Sequence, residues 1–286
     1  MSNKLTYIIV LNYNAYQDTV ECLKSISKLE SKKYKIILVD NCSTEPLIDG
    51  IMEWISSNNF NNIKLLKSKS NVGYAAGNNL GINYALKQID CEYIWILNND
   101  TIVKSNALKE LIRSDQNSKF QTIWGSKILY PNGKIQSLGC TMNYRFMSSY
   151  HNYNNKLDSM NDLSLVNIDY IHGCSMFFKK EIINKIGTLS EDFFMFFEDV
   201  DFCDRAKNNG IRLNIAQQSK VVHKEGASVK KNGLAYLATI NRIKYAKKIK
   251  SDQLNFIYLG IMYKIFKSLL LLRFSLAKRI VISLFK

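Results

Sequence analysis

The sequence predicts an α/β fold organised on a doubly wound, Rossmann-like mixed sheet, and three features of the chain predict it. Between residues 5 and 101 four short apolar runs alternate with amphipathic stretches, the rhythm of parallel strands joined by right-handed helical crossovers. Three of those runs end in Asn or Asp, so polar groups collect on the one rim where open α/β sheets hold ligands. Farther on, residues 123–130 (IWGSKILY) lead into Pro131-Asn132-Gly133-Lys134, a hairpin signal that makes the later part of the sheet mixed.

Residues 6–11 (TYIIVL) form an apolar, β-branched run that stops at Asn12-Tyr13-Asn14, and an amphipathic helix is expected over 16–29. Residues 35–39 (KIILV) repeat the pattern, stop at Asp40-Asn41 and give way to a helix over 46–57. The third unit is a strand at 63–66, the glycine-rich turn 71–79 (NVGYAAGNN) and a helix to about Lys87. Glycine there lets backbone approach a ligand and a helix N-terminus face a phosphate. The turn has neither the dinucleotide fingerprint nor the lysine of a P-loop.

The fourth run, 93–97 (YIWIL), is too short for a helix and apolar throughout, as a strand buried on both faces is. Asn98, Asn99 and Asp100 follow, and Asn takes turn conformations readily. Asp100 thus places a carboxylate just past the carboxyl end of a buried strand, which suits a hard divalent cation. The alternative is a surface turn, or a helix N-cap ahead of residues 104–113.

Beyond the hairpin, residues 141–162 are polar, rich in Asn, Tyr and Ser, and show no periodicity. Long irregular segments inside a domain serve as binding loops or lids. A strand interrupted by Gly173 is expected over 170–178 (YIHGCSMFF), then a short helix over 179–186. Residues 193–197 (FFMFF) run straight into Glu198-Asp199-Val200-Asp201. Carboxylates at the edge of a hydrophobic wall have their pKa raised toward the working range of a general base. Acids in a first helical turn also complement the helix dipole, and Asp201 is spaced to pair with Arg205. Asp201 and Arg205 are given that structural role; Asp199 is not.

Composition narrows the classes. A hydrophobic content of 47% excludes a disordered chain. The six cysteines show no paired metal-ligand spacing, and no signal peptide precedes Leu5, so mostly buried thiols in a reducing, cytosolic setting are expected. Residues 226–286 hold 13 Lys and Arg against the single acid Asp252, so nearly all of the net charge of +15 lies in this tail. That distribution describes a compact domain over 1–225 and a basic extension over 226–286 meant for an anionic partner.

Seven segments, IVLNYN, LVDNCS, NVGYAAGNN, LNNDT, HGCSMFF, FFEDVDFCDR and VVHKEGAS, occur in this order over residues 5–245. Together they resemble the family 2 glycosyltransferases of GT-A fold, in particular the rhamnosyltransferase-like branch that builds bacterial surface polysaccharides. The resemblance implies an inverting transferase that moves a sugar from a nucleotide-sugar donor, dTDP- or UDP-linked, to a lipid-linked or growing saccharide. It implies that Asn12, Asn14, Asp40, Asn78, Asn79 and Asn99 belong to the nucleotide site. The family's acidic metal motif is replaced here by Asn98-Asn99-Asp100, leaving Asp100 as the main protein ligand for Mg²⁺ or Mn²⁺, with His223 as a further ligand. Asp199 matches the catalytic base, and Glu198 would orient the acceptor. Gly173 and Arg242 are assigned to acceptor or diphosphate contacts.

Residues 254–286 are apolar but carry Lys264, Lys267, Arg273, Lys278 and Arg279, and no run reaches the ~18 uncharged residues of a spanning helix. A basic amphipathic helix on the inner face of the cytoplasmic membrane fits this pattern, with packing on the domain or in a homodimer as the alternative. Two competing functions stay open: a basic membrane- or nucleic-acid-binding protein without chemistry, and a nucleotidyltransferase. Confinement of the charge to the tail speaks against nucleic acid as a partner, and Asn12-Tyr13-Asn14 is not a basic phosphate loop.

Overall fold

The computed structural model describes residues 4–58, 60–159, 167–224, 236–249, 254–271, 274, 278 and 280–282. Four β/α units come first: β1 (Leu5–Asn12), α1 (Tyr16–Ser27), β2 (Tyr34–Asp40), α2 (Glu45–Ser57), β3 (Ile63–Lys67), α3 (Gly73–Leu86) and β4 (Cys91–Asn98), then β5 (Thr101–Val103) and α4 (Ala107–Gln116). β3, β2, β1 and β4 lie side by side and parallel. The sheet then turns mixed. β10 (Ser175–Lys179) runs antiparallel between β4 and β6 (Thr122–Leu129), β11 (Arg212–His223) is parallel to β6, and β5 closes the edge antiparallel to β11.

Alternation along β1 explains why the strands are apolar throughout. Tyr7 and Ile9 enter one core, Ile8 and Val10 the other, because successive side chains point to opposite faces and helices cover both. Register aligns the polar rim: Asn12 pairs with Asp40, Leu11 with Asn98, and His223 with Thr101. The last pairing carries a histidine more than a hundred positions away in sequence to the side of Asp100.

The expected hairpin forms, β6 pairing antiparallel with β7 (Ile135–Ser137). Residues 141–162, expected as an irregular loop, contain most of a second ribbon, β8 (Cys140–Asn143) with β9 (Ser148–His151), followed by turns to residue 159. Each strand has only four residues, Cys140 and Met142 turning into the core while β9 is half-buried to exposed, which is too short a pattern to read from sequence. The strand expected from Tyr170 begins only at Ser175; residues 170–174 form a turn that carries Gly173. α5 (Glu181–Ile186) and α6 (Glu198–Asn208) follow.

The expected boundary between 225 and 226 lies outside the described residues. Beyond it, α7 (Leu237–Ile249) is part of the core: Tyr245 and Ala246 are fully buried, and the Tyr245 ring lies 5.4 Å from that of Phe197. α8 (Leu254–Leu270) buries Ile257 and Ile261, yet its opposite side is apolar too, with Leu259, Met262, Tyr263, Phe266 and Leu270 all more than half exposed. Of the anticipated basic face, Lys264, Lys267, Lys278 and Arg279, the side chains of Lys264 and Arg279 fall outside those described, as does Arg273 opposite; Lys267 and Lys278 are exposed, Lys267 on a helix whose exposed side is otherwise largely hydrophobic. Among the described residues no helix is long and apolar enough to cross a membrane.

Candidate functional site

A cavity of about 770 Å³ opens at the carboxyl rim of the sheet, between the turns after β1, β2 and β4, the β8–β9 ribbon, the turn ahead of α6 and helix α7. Two groups of titratable side chains face into it.

Asp100 stands in the turn between β4 and β5. α4 starts only at Ala107, after Asn106, so the carboxylate is not a helix cap. The neighbouring asparagines build the turn: Asn98 Oδ1 lies 2.9 Å from the Tyr74 hydroxyl, and Asn99 Nδ2 donates to Thr19 Oγ1 at 2.9 Å. Asp100 Oδ1 is 3.2 Å from His223 Nε2, and His223 Nδ1 is 2.9 Å from Gln136 Oε1. An amide oxygen only accepts, so Nδ1 carries a proton, and a neutral ring turns its Nε2 lone pair toward the carboxylate. The donor set of one carboxylate and one neutral imidazole held by an outer partner fits a divalent metal.

The three histidines of the chain form a column. The His172 ring lies 5.6 Å from His223 and 5.0 Å from His151. His172 Nδ1 accepts the Cys174 N–H at 3.1 Å, which leaves its proton on Nε2. Burial, with the other two imidazoles adding to it, holds the His172 pKa well below the usual range, so the ring is a neutral donor. His172, Cys174 and His223 bring ligand atoms within 4.8 Å of one another. The His172 nitrogen is already spent, however, and burial keeps the Cys174 thiol protonated. Asp100 with His223 is therefore the better cation site.

The second group is the carboxylate pair at the start of α6. Phe196 and Phe197 precede it with φ of 73° and 75°, a left-handed conformation costly for bulky side chains. Asn241 of α7 holds that turn, its Nδ2 donating to the carbonyls of Met195 at 2.8 Å and Phe196 at 3.0 Å. Asp199 receives the N–H of Gly173 on Oδ2 at 3.0 Å and that of Val200 on Oδ1 at 2.9 Å. Burial outweighs those donors and raises Asp199 to about 6. Glu198 is raised further in direction, by burial and then by the charge of Asp199, and its Oε2 is buried without a hydrogen-bond partner. The pair divides its roles accordingly: Glu198 keeps its proton, and Asp199 ionises first. Asp201 and Arg205 pair at 2.8 Å, the structural role expected of them.

The residues assigned to the nucleotide divide. Asn99 lines the cavity. Asn12 is fully buried and wholly engaged, accepting from Thr19 and donating to Asp40 and Ser43. Asp40 accepts the Ser43 N–H, and Asn14 Oδ1 accepts the Thr44 N–H, so these three fold the rim loop rather than face the cavity. Asn78 and Asn79 are not among the residues that line the cavity. Both are buried, Asn78 donating to the Tyr74 carbonyl while its Oδ1 has no hydrogen-bond partner, and Asn79 clamping Leu189 and Glu191. The glycine-rich turn likewise does not offer its first N–H groups to a phosphate: those of Val72, Gly73 and Tyr74 go to Asn41, Asn71 and Phe194. Its later glycines let α3 press on β1, where a Cβ at Gly77 would meet Leu11 at 2.6 Å. Tyr13, Asn41, Asn71 and Tyr74 line the cavity in their place, with no local signal to mark them. Gly173 and Arg242 both line it.

A family model described as glycosyl transferase family 2 matches residues 7–187. The low-salt glycan biosynthesis hexosyltransferase Agl10 of Haloferax volcanii is 27% identical over 220 residues, 76% of this chain and 66% of that protein, just under two thirds of its length. The dTDP-rhamnosyl transferase RfbF of Shigella flexneri is 23% identical over 233 residues, covering 78% of this chain and 70% of that protein. Among solved structures, GalNAc-T7 with UDP, GalNAc and Mn²⁺ superposes with a TM-score of 0.63 at 14% identity, over 82% of this chain and 48% of that one. The mannosyltransferase PcManGT of Pyrobaculum calidifontis, in complex with GDP-Man and Mn²⁺, gives 0.60 at 13% identity over 98% and 86%. These two likenesses establish the fold.

Proposed function

The chain belongs to glycosyl transferase family 2, and we propose that it transfers a sugar from a nucleotide-sugar donor to a hydroxyl of a saccharide acceptor, inverting the anomeric centre. The observation that carries this reading is one cavity holding both Asp100 facing His223 at 3.2 Å and, across it, Asp199 raised to about 6 beside a protonated Glu198.

Asp199 takes the proton of the acceptor hydroxyl as that oxygen attacks the anomeric carbon, and the bond to the nucleoside diphosphate breaks in the same displacement. A pKa near 6 leaves Asp199 ionised at neutral pH yet basic enough to accept that proton. Glu198, kept neutral, offers an O–H to an acceptor or sugar oxygen, and the His172 imidazole offers its Nε2–H on the same wall. Asp100 and His223 would hold Mg²⁺ or Mn²⁺, which supplies charge neutralisation for the departing diphosphate. No covalent enzyme-sugar intermediate is required.

The proposed setting is the synthesis of a surface polysaccharide of capsule or O-antigen type, with a dTDP- or UDP-sugar as donor and a lipid-linked saccharide as acceptor. The relative named for dTDP-rhamnosyl transfer supports that donor class. The exposed apolar side of α8 and the basic composition of 226–286 support a peripheral position on the cytoplasmic membrane surface.

The test is a thermal-shift titration against UDP, GDP, dTDP and CDP, with and without Mn²⁺, on the native protein and Asp100→Ala. A ligand that binds only the folded state raises the melting temperature with its occupancy. Stabilisation by one nucleotide that needs metal and disappears in Asp100→Ala supports the reading and names the donor class. No stabilisation by any of them refutes it.

A further inference from the structure

Asp100 and His223 reach the cation site from different elements, Asp100 from the turn between β4 and β5 and His223 from the last position of β11. One ion can use both only if the two backbones keep a fixed separation. The residue after His223 is placed to fix it. β11 pairs antiparallel with β5, His223 opposite Thr101, and the ladder runs one step farther, the Lys224 N–H donating to the Asp100 carbonyl at 3.0 Å. Lys224 is thus joined covalently to one ligand residue and by a backbone hydrogen bond to the other.

Its side chain anchors that junction. Successive side chains leave a strand on opposite faces. The His223 ring faces Asp100 and Gln136, while the Lys224 ammonium reaches α1 and lies 2.8 Å from Asp18 Oδ1 and 2.5 Å from Glu21 Oε2. Asp18 and Glu21 are three positions apart and share a face of the helix. Gln17 donates to the other oxygen of Glu21 at 2.6 Å and holds that carboxylate in turn. The same helix grips the Asp100 turn directly: Thr19 Oγ1 accepts from Asn99 Nδ2 at 2.9 Å, and the Cys22 thiol donates to the Asn98 carbonyl at 3.6 Å. α1 therefore holds the Asp100 side through Thr19 and Cys22, and the His223 side through Asp18 and Glu21.

We infer that Lys224 is a positioning residue for the divalent cation, resting on the cation site of the proposed reaction: by tying the end of β11 both to α1 and to the Asp100 carbonyl, it sets the separation of the Asp100 carboxylate and the His223 imidazole. Lys224 does not line the cavity, so it acts through the two ligands and not on the substrate. Charge pulls the other way, which separates the two effects. Lys224 with Asp18 and Glu21 leaves one negative charge in excess, and an uncharged residue in place of the lysine leaves two. The charges of Asp100 and Lys224 both act on the Cys22 thiol, so the group is close enough to the cation site for this to count. On charge alone, Lys224→Met would bind a divalent cation more tightly; loss of positioning makes it bind more weakly.

The experiment is titration of the full chain with Mn²⁺, the free ion followed by its paramagnetic resonance, alone and with an excess of UDP or dTDP, for the native protein, Lys224→Met and Lys224→Arg. Lys224→Met is expected to bind Mn²⁺ about 10-fold more weakly, as loss of an outer partner of a metal site does. Lys224→Arg keeps the charge and the donors and should recover most of that loss. Melting temperatures without metal should fall by less than about 4 °C, because ion pairs in which the lysine side chain is 27% exposed add little to folding. Mn²⁺ affinity that is unchanged or raised in Lys224→Met overturns the inference and leaves the cation site standing. A Lys224→Met protein that does not fold also overturns it, since the lysine would then serve stability. A native protein that binds no Mn²⁺ under either condition removes the cation site of the proposed reaction and the inference with it.

Discussion

Asp199 Oδ2 accepts the backbone N–H of Gly173 at 3.0 Å. The carbonyl of the same glycine lies 2.8 Å from the Tyr74 hydroxyl, which in turn lies 2.9 Å from Asn98 Oδ1, two positions before Asp100. One backbone residue and one phenol therefore join the carboxylate pair to the turn that carries the cation site. The two halves of the proposed chemistry are thus joined by hydrogen bonds of groups to which no step of it is assigned.

Asp199→Asn is expected to lower kcat by about 10²- to 10⁴-fold, the usual contribution of a positioned base, while nucleotide affinity is retained. In the native protein kcat/KM should rise as pH passes through about 6, where Asp199 ionises. Stability moves the other way. The folded pKa of about 6 lies above the ordinary 3.8, so the folded state binds this proton more tightly. Its contribution is complete below the ordinary value and is lost as pH rises through about 6. Asp199→Asn should accordingly melt above the native protein at neutral pH, with the margin shrinking between about 6 and 3.8. Melting curves that keep a constant margin across that window would refute the burial argument.

Gln136 has no contact with substrate in the proposed chemistry, yet it fixes the tautomer of His223 through the 2.9 Å bond to Nδ1. Gln136→Leu should weaken Mn²⁺ binding by about 10- to 100-fold, as loss of an outer-shell partner does. Titration of Mn²⁺ in the presence of the stabilising nucleotide measures this, and kcat should recover in part at saturating metal. An unchanged Mn²⁺ affinity would show that the Nε2 lone pair is not a ligand.

Asn241 restrains a turn in which two consecutive phenylalanines have positive φ. Asn241→Asp keeps the shape but removes the N–H donors, so it should cost about 1–3 kcal/mol for part-buried carbonyls left unpaired. It should also lower kcat more than it raises the KM for donor, because the turn sets the carboxylates rather than the nucleotide. Urea unfolding and steady-state rates check the two parts. Native stability in Asn241→Asp would mean that the turn holds itself.

The outer side of α8 is apolar where a free helix would be polar. If it lies on lipid, Phe266→Glu with Leu270→Glu should abolish co-sedimentation with anionic phospholipid vesicles and leave the nucleotide-induced thermal shift unchanged. Vesicle binding that survives the double substitution would assign membrane contact to another part of the chain. A native protein that ignores vesicles and sediments as a dimer in the ultracentrifuge would assign this face to a second copy.

The sequence by itself determined the four β/α units, the hairpin at β6–β7 and the rim carboxylates Asp100, Glu198 and Asp199. Apolar period and turn chemistry are local properties, and a buried strand followed by Asn or Asp announces its rim without help from the rest of the chain. Tertiary structure alone decided which polar groups face the cavity. Asn12 and Asp40 sit at the rim as expected, but neighbouring loops turn their side chains into hydrogen bonds with Ser43 and with each other. Gln136 meets His223 across 87 positions, Asn241 meets Phe196 across 45, and Tyr74 meets Gly173 across 99. Such partners are selected by strand order and register, which bring distant residues together through the burial of the whole core, so no window of sequence around any one of them carries the information. The β8–β9 ribbon stayed illegible because its strands are four residues each: Cys140 and Met142 of β8 do alternate into the core, but two apolar positions are too few to mark a strand, and β9 is half-buried to exposed throughout.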